Sequence, residues 1–361
     1  MHAARVQSLT SAAVGALTAG ALGVHAIGHG LAYARGLSDK HAIKQVDRLL
    51  SNSKLSVWDL FATWVPRALG ERKEALVALD WADFDADNQT TLSMHLVSKH
   101  GRATPLVWKT VLKSELKGNR AAIENEVIAR FLETAPPDIK VTVLADRGFA
   151  DVKLFEMLER WGADYVIRIR GNVVLANKSG EARRADEWVP KNGRSLILRD
   201  VSLTKTRAPV PAVVCVRAAK MKDSWCLATS RADLKSAEVV QLYGRRFTIE
   251  ESFRDIKDPR FGLGFNDARV STPARRDRLL FIATLAIALL TVLGAAGESL
   301  GMEKSLKANT SKKRSYSLLR QGLMYCSHIP RMKEDRVIPL MDRFAELLAE
   351  VRVFQQLLGV L

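Results

Sequence analysis

Two short apolar runs that each finish on an aspartate, VALD ending at Asp80 and VTVLAD ending at Asp146, constrain this chain more than any other feature. Runs of this kind read as strands covered on both faces, the pattern of a mixed or parallel sheet lying under helices. A carboxylate in such a setting is costly unless it has a partner or holds a cation. The ends of strands in open α/β sheets are also where ligands bind. The ordinary alternative, a turn-forming aspartate after a strand, stays open for each residue taken alone.

The segments around the two aspartates complete the pattern. EALVALDWADF, TTLSMHLV and TPLVWKTVL are three β-rich stretches separated by polar turns. NRAAIENEVIARFLETA follows as a helix stopped by Pro136 and Pro137. Then come the strand before Asp146, a helix LFEMLERWG closed by Gly162, and a strand ADYVIRIRG. This order predicts a mixed α/β sheet with helices on its faces. From about 171 to 230 short strands and polar turns dominate, ending in SWCLATS, and they read as an insertion before the last helix of the unit. Residues 1 to about 70 read as helices. Asp39 is placed to cap the one in which Ile43, Val46, Leu49 and Leu50 recur at helical spacing.

Fifty-five Lys and Arg against 39 Asp and Glu give a formal charge of +16. Such a balance points to a polyanionic partner, nucleic acid first among them. Cys215, Cys226 and Cys326 are too few and too far apart in sequence for a disulfide framework or a zinc site. His25 and His29 stand four apart with no third ligand near, and read as ordinary helix residues. In DWADFDADNQ, Asp83, Asp85 and Asp87 imitate a calcium loop. Asn88 replaces its glycine and Met94 its final glutamate, so the stretch reads as a solvated turn. Two segments resemble membrane elements. Ala12 to Ala34 is interrupted by histidines and glycines, and Leu279 to Ala296 has the length of a short span or of a buried core helix.

The most informative piece is LKSAEVVQLYGRRFTIEESFRDIKD, read as one long helix with Gly244 as a weak point. With Tyr243 at 0° and 100° per residue, Arg246, Glu250 and Lys257 fall at about −60°, −20° and −40°, along about 21 Å of one face. Leu242, Ile249, Phe253 and Ile256 form the neighbouring apolar stripe, so this polar arc borders the buried face. An i,i+4 pair of Arg246 with Glu250 alone would make it a solvated salt-bridge face. The aligned Tyr243 and Lys257 are surplus to that.

Tyr243-x2-Arg246-x3-Glu250-x6-Lys257 resembles the Tyr-Arg-Glu-Lys signature of DDE-class transposases of bacterial insertion sequences, in the branch that excises DNA through hairpin ends. VALDW, VLADRGF and SWCLATS resemble the family as well, and the resemblance runs from about Ser38 to about Gly322. It implies a ribonuclease-H-like core with a β-rich insertion between the second Asp and the Glu. It implies catalysis and metal binding by Asp80, Asp146 and Glu250, with two Mg²⁺ ions that Mn²⁺ can replace. Tyr243, Arg246 and Lys257 become DNA phosphate contacts, and Trp225 becomes a base-stacking residue. The chemistry fits these residue types: in-line phosphodiester displacement is stabilised by paired divalent ions, and hard cations take oxygen ligands. Basic runs such as Lys312-Lys313-Arg314 and Arg245-Arg246 would add affinity independent of base sequence.

The expected architecture is therefore a helical DNA-binding region over 1–70, the first part of the core over 71–170 and the β-rich insertion over 171–230. The signature helix over 231–265 completes the core, and a helical region occupies 266–361. The expected activity is cut-and-paste transposition on double-stranded DNA, both element ends and target. A homodimer would bridge two ends in the bacterial cytoplasm, associated with the nucleoid and not with a membrane. A ribonuclease-H-like nuclease without joining activity and a catalytically decayed DNA-binding repressor are the alternatives, and the intact triad argues against decay.

Overall fold

The structure is a computed structural model and describes residues 3–98, 102–203, 207–219, 221–311 and 314–350. Strand β1 (Glu74–Phe84) is the run that contains Asp80, and β4 (Lys140–Ala145) is the run that stops one residue short of Asp146. β1 pairs antiparallel with β2 (Gln89–Val97), which pairs antiparallel with β3 (Ala103–Leu112). β1 also runs parallel to β4, and β4 parallel to β5 (Asp164–Ile169). The crossover helices are α5 (Arg120–Thr134), which ends before Pro136 as expected, and α6 (Val152–Arg160). Past α6, Gly162 adopts φ +70°, and the Ala163 amide reaches back to the Leu158 carbonyl at 2.9 Å. A side chain at position 162 would be strained in that left-handed conformation.

The segment read as an insertion does not stand apart from the sheet. β6 (Val174–Ala176), β7 (Ala182–Arg184), β8 (Leu196–Leu203), β9 (Ala208–Val216) and β10 (Trp225–Thr229) extend it to ten strands, in the order β3-β2-β1-β4-β5-β10-β9-β8-β6-β7. The join is the antiparallel pairing of β10 with β5, Cys226 opposite Ile169. Short-range patterning identifies strands but not their neighbours, and this pairing links residues far apart in sequence.

The signature segment is broken, in contrast to the single helix expected. α7 (Ser236–Gly244) gives way to a tight 3-10 turn over Arg245–Phe247, and α8 (Thr248–Lys257) resumes. A 3-10 turn advances about 120° per residue, so three such residues add about 60° to a wheel drawn at 100°. The amino-terminal helices are α1 (Ala3–Ala19), α2 (Val24–Arg35), α3 (Asp39–Ser51) and α4 (Val57–Leu69). Ser38, not Asp39, holds the capping position of α3. Asp39 opens its first turn and pairs with His29 at 3.2 Å.

The apolar run near residue 280 lies in α9 (Pro273–Ser299), started by Thr272, whose side chain accepts from the Arg275 amide, with Pro273 in the first turn. Among the described residues α9 is the one helix long and apolar enough to cross a membrane. Yet 67% of its apolar window is buried within the protein, against α1, β3, α10 (Leu318–His328) and α11 (Glu334–Glu350). α9 and α10 touch backbone to backbone. A Cβ on Gly294 would stand 1.9 Å from the Leu318 carbonyl oxygen, and one on Gly322 equally close to that of Leu290. α1 and α2, which contain the Ala12 to Ala34 stretch, meet at 95° and pack with α3 and α9.

Candidate active site at the end of β4 and within β1

The parallel register of β1 and β4 closes on the pair Leu79 and Ala145, so Asp80 and Asp146 are the next residue of each strand. β1 continues past this point against β2, with Asp80 opposite Ser93, while the chain at Asp146 turns away. Asp146 Oδ1 accepts from the Gly148 amide at 2.7 Å and caps the turn over Arg147–Phe149. Side chains alternate along a strand, so Asp80 shares a face with Leu76, which packs in the small core that also holds Tyr243 of α7. Two local signals, apolar strands and the turn after one of them, thus bring two carboxylates side by side.

The third partner arrives on the broken helix. Arg246, in the 3-10 turn, has a side chain only 8% exposed. Its Nη1 donates to Asp80 Oδ2 at 3.0 Å and its Nη2 to Glu250 Oε1 at 2.7 Å. The other oxygen of Asp80 accepts from the Trp81 amide at 2.9 Å. Burial pushes the Asp80 carboxyl up to about 6, against the pull of Arg246 and the Trp81 amide, and the charges of Asp146 and Glu250 push the same way. That direction is set chiefly by desolvation, with two neighbouring carboxylates adding to it and a single guanidinium opposing it. Glu250 remains half exposed, so the cluster opens to solvent on its side.

Tyr243 is fully buried among Leu144, Val166, Val214, Leu227 and Val239. Desolvation raises its phenol above the ordinary value. Trp225, half-buried at the start of β10, lies edge-on to Tyr243 with ring centres 4.9 Å apart. Phe247, exposed at the mouth, lies 6.0 Å from Trp225 and carries the Arg246 guanidinium 4.8 Å above its ring. Lys257 does not join this group. Its ammonium donates to the Asp83 carbonyl at 2.7 Å and sits 4.5 Å above the Phe84 ring, two helical turns beyond Glu250. Asp80, Asp146, Arg246, Glu250, Tyr243 and Trp225 therefore meet, and Lys257 stands beside β1 further along.

The sequence pattern gives little sign of the support behind Asp80. Glu124 of α5 is buried and accepts from Trp81 Nε1 at 2.9 Å and from Arg120 Nε at 2.8 Å. The available signal was an acid set among the apolar positions Ile123, Val127 and Ile128 of α5. The aspartates at and just past the end of β1 also divide differently from a uniformly solvated turn. Asp83 and Asp85 are exposed and pair with Lys113, whereas Asp87 is largely covered and binds Arg276 and the Val270 amide. Among the described residues no three His, Cys, Asp or Glu side chains gather closely enough to hold a metal ion, and Arg246 bridges Asp80 and Glu250 instead. By chemistry the three carboxylates fit a hard divalent cation, and an incompletely compensated buried Asp80 is a group that such a cation would stabilise. Of the basic run 312–314, Lys312 and Lys313 lie outside the described residues, and Arg314 pairs with Glu298.

Residues 109–289, half of the chain, match the family described as Transposase DDE domain. The match takes in Asp146, Trp225, Tyr243, Arg246, Glu250 and Lys257, and Asp80 precedes it. Comparison with curated proteins gives no match.

Proposed function

The chain belongs to the transposase DDE domain family and has its ribonuclease-H-like fold, and from that premise we propose that it is a cut-and-paste transposase working through hairpin ends. The family acts on DNA with divalent metal ions. In this reading Asp80, Asp146 and Glu250 hold the ions, Mg²⁺ by preference and two in number. The observation that carries it is the Arg246 guanidinium shared by Asp80 and Glu250, across the β1–β4 register from Asp146.

The ions, when bound, supply Lewis acidity and an activated water at the scissile phosphate. The protein supplies position and charge. Arg246 offers a planar fork of donors that matches a phosphate, and its Nε is buried without a partner. Tyr243 lies beneath that guanidinium and fixes its height. Lys257, on the same helix as Glu250, would meet the DNA backbone further along β1. In the proposed sequence, water attacks the phosphorus at the element end and the 3′-oxygen leaves as a hydroxyl. That hydroxyl attacks the opposite strand and closes a hairpin, water reopens it, and the 3′-hydroxyls join target DNA. Two copies of the chain would bridge two ends. The helices of residues 1–70 would contact the terminal repeats, and those of 266–361 would help pair subunits.

Asp80→Asn, Asp146→Asn and Glu250→Gln should each abolish nicking while DNA binding persists. Glu251→Gln should nick normally, because Glu251 pairs instead with Arg102 and Arg254. A gel assay with Mg²⁺, Mn²⁺ or EDTA resolves nicked, hairpin and joined products. Full nicking by Glu250→Gln, or cutting in EDTA, would sink the assignment. Nicking without hairpin or joined product would leave a plain nuclease.

A further inference from the structure

The end of the sheet at which β4 stops before Asp146 continues across the neighbouring strands. β5 runs parallel to β4, and β10 and β9 pair so that Cys226 faces Ile169 and Trp225 faces Val216. The end of β5, the start of β10 and the end of β9 therefore open at the same end as Asp146. There a cleft of about 500 Å³ is walled by Arg147, Arg168, Arg170, Arg217 and Lys222. Its two acids are Asp186, which already binds Arg184 at 2.7 Å, and Asp223. Arg168 is tied to the Ser224 carbonyl at 3.0 Å. Arg147, Arg170, Arg217 and Lys222 are exposed and form no ion pair among the described residues.

Unpaired arginines scattered over a surface would signify little. These converge from the turns that follow β4 and β5 and from the loop between β9 and β10 on one concavity, where low-dielectric walls concentrate their field. Strands lie about 4.8 Å apart, so β5, β10 and β9 stand about 5, 10 and 14 Å along that end from β4. A duplex advances 3.4 Å per base step, which makes that span roughly one to four steps. Guanidinium forks suit phosphate oxygens, and the one apolar side chain in the lining, Ile169, is buried.

We propose that this cleft seats the phosphodiester backbone of the DNA duplex one to four base steps from the cut, through charge and without reading sequence. The proposal rests on the transposase reading, because it takes Asp80 and Asp146 as the place of cutting. Arg170 and Arg217 act as positioning residues that set the register of the duplex against Asp146.

The test measures binding of an arbitrary-sequence duplex by fluorescence anisotropy across a salt series, without divalent metal. The proteins are the wild type, Arg170→Gln/Arg217→Gln, and Lys178→Gln/Arg183→Gln as a control of equal charge loss on the β6–β7 hairpin. Two lost phosphate contacts should reduce the slope of log affinity against log salt by about 1.8 and weaken binding by about tenfold at low salt. The control should keep the wild-type slope. Unchanged melting temperatures, expected for exposed positions, exclude a folding effect. If the wild type binds with a steep slope and the cleft variant matches it, or if the control loses as much as the variant, the cleft proposal fails alone. A wild type with no salt-dependent binding would overturn the transposase reading itself.

Discussion

Arg246 and Arg276 are both buried and both ion-paired with aspartates, and only one of them marks a candidate active site. Arg276, in the first turn of α9, is closed off: its side chain is 1% exposed, and its guanidinium lies 3.9 Å above the Phe84 ring. It binds Asp87 and donates from Nε to Gln89 at 2.8 Å, tying α9 to the β1–β2 turn. Arg246 is almost as buried, but it faces Asp80, Glu250 and, beyond them, Asp146. Around Arg276 the charges nearly balance. Around Arg246 the carboxylates outnumber the cation, and one of them reaches solvent. An excess of desolvated negative charge with an opening is costly to folding and useful for a cation, which is the usual mark of a functional site.

Exchanging each arginine for methionine tests this contrast most strongly. Arg246→Met should lower the nicking rate by about 10²–10³-fold, as loss of a preorganised charge contact does, with a modest change in melting temperature because Glu250 is hydrated. Arg276→Met should do the reverse. It leaves the largely covered Asp87 with only the Val270 amide and the exposed Arg269 at 3.8 Å, and should cost about 3 kcal/mol of stability in urea denaturation, while the remaining folded enzyme nicks at the normal rate. If Arg276→Met loses activity without losing stability, the distinction between the two sites collapses.

A smaller effect sharpens the point through pH. The Asp80 carboxyl titrates near 6 in the folded protein against 3.8 in the unfolded chain. The folded state therefore holds its proton more tightly. The stability this contributes is fully present below about pH 4 and is lost as pH rises through about 6. Asp80→Asn, which cannot ionise, escapes that loss. In EDTA it should gain on the wild type by about 2–3 kcal/mol between about pH 4 and about pH 8, read by chemical denaturation at each pH. A constant gap across that range would show that Asp80 is well compensated and that the site carries no excess charge.

The smallest effect concerns the aromatic rim of the open site, since the rings beside Arg276, Phe84 and Phe265, are buried. Trp225 and Phe247 present ring surface beside Arg246. Hairpin closure bends the backbone sharply, so a terminal base must leave the stack, and an aromatic face recovers about 1–3 kcal/mol of that cost. Trp225→Ala should make the first nick and slow hairpin formation by about tenfold, and an abasic site at the flipped position should partly restore it. Equal loss of both steps together with a lower melting temperature would make Trp225 a packing partner of Tyr243 and nothing more.

What the sequence determined by itself was local. Apolar runs that end on Asp80 and Asp146, a helix stopped by Pro136, a turn at Gly162 and the i,i+4 pair of Arg246 with Glu250 are all written within a few residues, because strand alternation, helix stops and helix faces depend on near neighbours. Tertiary structure alone decided the rest. It joined Arg246 to Asp80 across 166 residues and made the β-rich insertion a continuation of the central sheet. It also broke the signature helix at Arg245–Phe247 and sent Lys257 to the Asp83 carbonyl. Burial of Arg276, covering of the apolar α9 and convergence of Arg170 and Arg217 on one cleft are likewise properties of chain crossings. Desolvation and charge balance depend on what lies across the fold, and no window along the chain contains both partners.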